Sequence, residues 1–301
     1  WENGLHEARA TREVVMSAGA IGTPFPLQPK GIGPGAVLQR HGIQVVRDAP
    51  VGKNLQDHAQ CGLAFRVKVP TMNDVLGALY KQVIAGMQYV LARKGPLTYS
   101  INQGGAFLKT RPDLDRPDTQ FYFLPMTWDQ IAAGQKISLR TDRFSGVSMN
   151  ASPCRPESRG RIEIKSGDMD TPPAIYPNYL STPNDLQVMV DSLKILLRIA
   201  ETKPVADIIE QRFRPPGKLG DAELGDYAKA SCKTTDQPAS TCTMGPNPET
   251  AVVDPSLKVH GIDRLRVVDA SIIPLMVSGN TNAVVTMIGE KGADLILNDH
   301  R

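Results

Sequence analysis

The chain is poor in the features that mark several functional classes. Its four cysteines, Cys61, Cys154, Cys232 and Cys242, lie far apart and form no Cys-x-x-Cys pair. That spacing argues against a metal site or a disulfide framework, and it predicts reduced thiols in a cytoplasmic protein. No apolar run approaches the ~20 residues that a membrane-spanning helix requires. Neither sign of charge dominates: 34 basic and 31 acidic residues, spread along the chain, leave a net charge of +3. Nucleic acid and acidic membrane surfaces are therefore not expected partners. Repeats and low-complexity tracts are absent. So is a Gly-x-Gly-x-x-Gly fingerprint following a strand. The run from Gly31 to Gly35 has the wrong spacing, and Pro34 lacks the N–H that a phosphate loop would use. The chain begins at Trp1 rather than Met, so no targeting signal is read from it.

What is present is 301 residues with 41% apolar and 22% charged content, a globular composition with room for one large core or two domains. The most patterned stretch runs from Leu265 to Leu297. Leu265, Val267 and Val268 predict a short strand ending at Asp269 and the small pair Ala270-Ser271. A loop with Pro274 and Ser278-Gly279 then reaches Asn280-Thr281-Asn282 at the mouth of a helix, where Asn or Thr caps free N–H groups. Val284, Val285, Met287, Ile288, Leu295 and Ile296 predict that this helix is mostly buried. A helix opening on a small polar loop suits an anion or partial negative charge. An ordinary capped helix is the simpler reading of that pattern alone.

Near the other end, Arg12–Ser17 predicts a compact buried strand, with Ala18-Gly19-Ala20 allowing close approach at its end. Pro26 and Pro29 predict a distorted helical turn, and Gly35–Gly42 two turns of helix. In the middle, Leu63, Phe65, Val67 and Val69 alternate as in a half-buried strand. Asn73 is placed to cap a helix running through Leu76, Leu79, Tyr80, Val83, Met87, Val90 and Leu91 to a stop at Gly95-Pro96, its apolar stripe read as core. Strands are expected at Gln120–Leu124, Ser145–Ser152 and Arg161–Lys165. Thr182, Pro183 and Asp185 open an amphipathic helix. Clustered strands with helices beside them predict an antiparallel sheet covered on one face. The polar loop Thr127–Arg143 reads as a lid.

The wording of these stretches is more specific than their geometry. The blocks REVVMSAGAIGTP, GIGPG, VGKNLQDH, GPLTYSINQGGAF, QPASTCTMG and VVDPSLKVHGIDRLRVVDAS, with the C-terminal VVDASIIPLMVSGNTNA…GEKGADLIL, appear in this order. Together they resemble the glucose–methanol–choline (GMC) oxidoreductases, nearest to their choline-dehydrogenase-like branch. The resemblance implies a mixed α/β and α+β architecture. Residues 1–60 and 231–301 would form the C-terminal part of a Rossmann-like FAD-binding domain, and residues 61–230 an antiparallel-sheet substrate domain. It implies FAD as cofactor, a small-molecule alcohol as substrate, and oxygen or a quinone-type electron acceptor. Family members carry their dinucleotide fingerprint upstream of anything that matches here, so this chain is expected to bind FAD poorly by itself. Ala18, Gly19, Asp269 and Ala270 are the implied residues beside the cofactor, with Asn280, Thr281, Asn282 and Ala283 at the flavin edge.

In such an enzyme a hydride passes from the alcohol carbon to flavin N5 while a base takes the hydroxyl proton, a task suited to histidine. The family's His-Pro-x-Gly-Thr block reads Gln237-Pro238-Ala239-Ser240-Thr241 here, so Gln237 holds the base's place. An amide donates and accepts hydrogen bonds but has no useful proton affinity. The second catalytic position falls on Asn280, which would orient the hydroxyl. His58 reads as a hydrogen-bonded loop histidine, and His260 as part of a structural turn. Three readings stand: an FAD-dependent alcohol dehydrogenase or oxidase, a GMC-fold pseudoenzyme or small-ligand-binding protein, and an interaction domain that kept the scaffold.

Overall fold

The computed structural model describes residues 7–128 and 141–300. The chain divides into two compact units: residues 1–58, 156–179 and 234–301 form the first, and residues 59–155 and 180–233 the second. Most of the expected lid, Thr127–Arg143, lies outside the described residues.

In the first unit the two apolar runs at opposite ends of the chain meet. Val14–Met16 pairs in parallel with Leu265–Val267, Val14 opposite Leu265. The strand is not buried as expected: Val14 is 48% and Val15 39% exposed, because this sheet has two strands and one of its faces is left uncovered among the described residues. Behind it Gly19 takes φ +81°, a conformation open to glycine, and turns the chain into the short helices Gly19–Gly22 and Pro24–Leu27 and the 3-10 turn Gln28–Lys30. Pro26 and Pro29 thus break a helix into pieces. Gln28, 1% exposed, uses the break: its amide donates to Val51 O at 3.2 Å and Ile162 O at 3.0 Å and accepts from Ile164 N at 2.9 Å. These bonds hold the hairpin of Arg161–Glu163 and Ala174–Tyr176 in the first unit. The stretch 61–230 is therefore not continuous in space, since residues 156–179 pack with the chain's two ends.

Around Val51, Ala239, Cys242, Val253, Val267 and Ile272 lies this unit's core. Arg266 is 1% exposed beside it, donating to Glu13 at 2.6 Å, to Ser256 O at 2.7 Å and to Asp299. The helix Asn282–Asp299 corrects a second expectation: only Ile288 and Gly292 are buried, and Met287 and Leu297 are more than half exposed. It touches the unit along a narrow seam. A Cβ on Gly292 would stand 2.4 Å from Val268 Cγ1, so the missing side chain sets the approach.

The second unit is built on an antiparallel sheet in the order Ile209–Arg214, Ala59–Val67, Gly146–Pro153, Thr119–Leu124, Gly104–Leu108. Cys61, Leu63, Phe65 and Val67 alternate onto one face with Met149 and Ala151 opposite. The helix Pro183–Ala200, opened by Thr182 accepting from Asp185 N, covers that face with Met189, Val190, Leu193 and Leu196 buried. The other face carries Gly62 and Ala64 beside Asn150 and Ser148. An antiparallel sheet with one packed and one polar face is the expected arrangement.

The helix expected to start at Asn73 differs in two ways. Thr71 is its N-cap, in a capping box with Asp74, while buried Asn73 bonds Thr127 and Phe144 O. The helix also breaks at Gly77–Ala78 into Met72–Leu76 and Leu79–Ala92. On the second piece the apolar stripe is not core: Leu79, Tyr80, Val83, Met87, Val90 and Leu91 are all more than half exposed, and only Ala85 is buried.

Candidate active site

The site in the first unit is assembled by one antiparallel bridge. Gln56 N donates to Ala239 O and Ala239 N to Gln56 O, at 3.1 and 2.8 Å. Two residues beyond Gln56 comes His58, and two residues before Ala239 comes Gln237, so the bridge sets them face to face. Downstream the same loop is stitched to the segment after Asp269: Ser240 N bonds Ala270 O, Cys242 N bonds Ser271 O, and Met244 N bonds Ile272 O. Thr241 Oγ1 donates to Ala20 O at 2.5 Å. The Gln56 side chain, 1% exposed, closes the far side by donating to Pro274 O and accepting from Met276 N. A short polar loop is held here from three directions by backbone bonds, which is how buried polar groups are ordinarily satisfied.

Gln237 Oε1 accepts from Thr281 N at 3.2 Å and lies 3.1 Å from His58 Nδ1. Thr281 N–H is a donor only, so it identifies the amide atom facing it as oxygen. His58 Nδ1 must then carry the proton and donate. His58 is 2% exposed, and Thr281 8%. Between the two chain segments sits Asp57, 7% exposed, accepting from Gln237 N at 3.2 Å and from the Tyr179 hydroxyl at 2.5 Å. Burial pushes the Asp57 carboxyl above its ordinary value, against the hydrogen bonds of Thr234, Tyr179 and Gln237 and the charge of His58.

A second cluster gathers four of the expected residues. Asp269, 6% exposed, accepts from Gly19 N at 2.9 Å, from Thr23 Oγ1 at 2.5 Å and from Ser271 N at 2.8 Å. Thr23 Oγ1 in turn accepts from Ala18 N. The Asp269 carboxylate thus ties Gly19 directly, and Ala18 through Thr23, to the turn at Ala270-Ser271 across 250 residues of sequence. At the mouth of the Asn282–Asp299 helix, Thr281 is the N-cap but makes no side-chain capping bond, and Asn280, Asn282 and Ala283 are exposed. Gln237 and Thr281 are in direct contact, so the Asn280–Ala283 turn and the Gln237 loop form one site. His260 bonds Gly245 O at 2.9 Å, as a residue of a structural turn would. Among the described residues no group of His, Cys, Asp and Glu is placed to hold a metal.

His58 is hydrogen-bonded in its loop, as the sequence reading expects, and the structure adds that a partner is Gln237. Gln237 lies 179 positions away, and no local pattern announces a bridge between residues that far apart.

Residues 156–289 match the family model described as GMC oxidoreductase. An alcohol dehydrogenase (acceptor) of Pseudomonas putida is 38% identical over 288 residues, covering 95% of this chain and 51% of that protein. An oxygen-dependent choline dehydrogenase of Ectopseudomonas mendocina (strain ymp) is 37% identical over 297 residues, with 98% and 51% covered. The solved structure of a formate oxidase from Aspergillus oryzae RIB40 is similar at a TM-score of 0.86 and 28% identity, over 97% of this chain and 55% of that chain. The chain thus spans about half the length of the curated relatives it matches.

Proposed function

The chain belongs to the GMC oxidoreductases, and from that premise we propose that it serves the FAD-dependent oxidation of an alcohol to an aldehyde or ketone. The observation that carries this reading is the junction of Gln237, His58 and Thr281 at the mouth of the Asn282–Asp299 helix. The residues there fit one edge of a flavin. The helix has eighteen residues, no side-chain cap and exposed small side chains on its first turn. Asn282 and Ala283 would hold that edge, where the helix N-terminus favours negative charge by ~0.3–2 kcal/mol. Asp269 would act indirectly, fixing Gly19 and Ala270 beside the cofactor, since its oxygens already serve Gly19, Thr23 and Ser271. When bound, FAD supplies the hydride acceptor.

Asn280 is the residue assigned to orient the substrate hydroxyl. Gln237 stands where the base would be and takes no proton. Its carbonyl is committed to Thr281 and His58, which leaves its NH2 to donate. Oxidation by this arrangement is slow at neutral pH. The same residue favours a second reading, a GMC-fold protein that binds flavin or a small ligand without fast turnover.

The test uses the protein produced from its own gene, loaded with FAD and mixed anaerobically with primary alcohols. Gln237→His is expected to raise the rate of flavin bleaching by ~100- to 10,000-fold, the usual worth of a general base. It should also introduce a titration near the imidazole value of about 6.5. Bleaching only in the variant identifies the second reading. A rate that stays flat, with no new titration, refutes the role given to Gln237. Admitting oxygen or a quinone to the bleached protein distinguishes the two electron acceptors.

A further inference from the structure

The helix Leu79–Ala92 of the second unit is turned inside out. At 3.6 residues per turn, Leu79, Tyr80, Val83, Met87, Val90 and Leu91 fall within an arc of about 120°. Ala85, the one buried residue of the helix, lies on the opposite side. The side facing the protein is therefore the narrow, small-residue one, and the broad apolar arc faces out. Surface helices ordinarily do the reverse. The apolar exposure continues past the helix end. Arg93 and Gly95, with φ +53° and +95°, turn the chain into the 3-10 turn Pro96–Thr98, which packs back beside Gln88. Beyond it Tyr99 and Ile101 are more than half exposed, and the edge strand Gly104–Leu108 is exposed along its length. An uninterrupted apolar surface of this kind marks a site of contact.

Charge identifies what the contact is with. The chain as a whole is balanced, but the stretch from Val75 to Thr110 contains Lys81, Arg93, Lys94 and Lys109 and no Asp or Glu. Arg93 and Lys94 are exposed at the C-terminal end of the helix, the guanidinium lying 5.3 Å from the Tyr89 ring centroid. Lys81 donates to Asp74 O, a neutral carbonyl. The face thus combines apolar side chains with cations of one sign. A second copy meeting it would gather like charges in one interface. An anionic bilayer complements both properties, with phosphates for the cations and the acyl boundary for the apolar arc. Tyr80, Tyr89 and Tyr99 carry the amphipathic rings that sit at headgroup level. The helix has fourteen residues, too few to span a bilayer, which leaves it lying in the plane.

We propose that this face docks on an anionic lipid bilayer, with the apolar arc of Leu79–Ala92 at the acyl boundary and Arg93 and Lys94 against lipid phosphates. The proposal does not rest on the oxidation above. The protein produced from its own gene and loaded with FAD is centrifuged in density gradients with vesicles. These are made of phosphatidylcholine alone, or of phosphatidylcholine and phosphatidylglycerol in equal parts. The protein is expected to float with the anionic vesicles, to bind the neutral ones far more weakly, and to be released as salt screens the headgroups. Arg93→Gln combined with Lys94→Gln should weaken the partition about thirtyfold, the worth of two cations near such a surface. Leu79→Gln and Leu91→Gln, at exposed positions where folding is insensitive, should each weaken it about tenfold. Met169→Gln, at an exposed apolar position in the first unit, should leave it unchanged. Circular dichroism confirms that each variant folds. No flotation with anionic vesicles, equal flotation with neutral ones, or flotation untouched by the helix variants overturns the proposal. A lipid-free dimer that Leu91→Gln disperses overturns it too, and assigns the face to a second copy.

Discussion

Two regions invert the usual distribution of side chains, in opposite senses. The loop site of the first unit buries polar groups: Gln56, Asp57 and His58 are all under 10% exposed. The helix Leu79–Ala92 of the second unit exposes apolar ones, with Leu91 at 82% and Leu79 at 77%. Polar burial succeeds where backbone donors and acceptors are already fixed, as around Gln56, because each bond made offsets the lost hydration. Apolar exposure arises where a face has the right periodicity and nothing among the described residues lies over it. The helix Pro183–Ala200 has the same kind of stripe, yet Met189 and Leu193 are fully buried because the sheet is there to receive them. Spacing determines which residues share a face. A second element determines whether that face becomes core.

The comparison breaks most readily at Arg266. Removing the buried Arg266 side chain leaves half-buried Glu13 without its main partner, so Arg266→Ala should cost ~3–5 kcal/mol of stability in urea unfolding. A loss below about 1 kcal/mol would show that polar burial in the first unit matters little.

A finer test is pH. Burial would raise the Glu13 pKa, but the Arg266 and His300 bonds outweigh it and hold the group below 4.5. The folded chain therefore releases that proton earlier than the unfolded one does. Its contribution is present above 4.5 and lost as pH falls through the folded value. Asp57 has the opposite sign. Its pKa is raised above 3.8, so the folded chain keeps a proton the unfolded chain has lost, and stability declines as pH climbs through that window. Unfolding midpoints measured from acid to neutral pH should show Glu13→Gln removing the acid-side loss and Asp57→Asn removing the decline. Parallel profiles for all three proteins would contradict both assignments.

The smallest effect is expected on the exposed helix. Leu91→Ala should change stability by no more than about 0.5 kcal/mol, as surface positions do. A cost near the ~2–5 kcal/mol typical of a buried leucine would mean that the face is covered in solution.

Much of the fold was legible. Two apolar runs with small residues behind them announced the Val14–Met16 and Leu265–Val267 strands, and Thr182-Pro183 announced a helix start. Other features carried no local signal. Ile209–Arg214 reads as charged because it lies at a sheet edge with register shifts, where alternation is not enforced. Thr71 and Asn73 are both capping residue types, and tertiary bonds to Thr127 and Phe144 decided between them. Gln237 was marked by its block. That its amide oxygen is shared between His58 and Thr281 depends on a bridge no periodicity encodes.

The meeting of Val14–Met16 with Leu265–Val267 has a consequence for the order in which the chain takes shape on the ribosome. Gly19 and Asp269, bonded at 2.9 Å, are made 250 residues apart. The second unit ends at Lys233, so its sheet emerges complete while the first unit still lacks its closing strand. During that interval Val14 and Val15 lack their partner strand, and Gln56 lacks Ala239, Pro274 and Met276. Closing so long a loop costs little more than closing a shorter one, about 0.6 kcal/mol per doubling. The penalty is delay, since distant pairings form slowly, and it falls on the half of the molecule that carries Gln237 and His58.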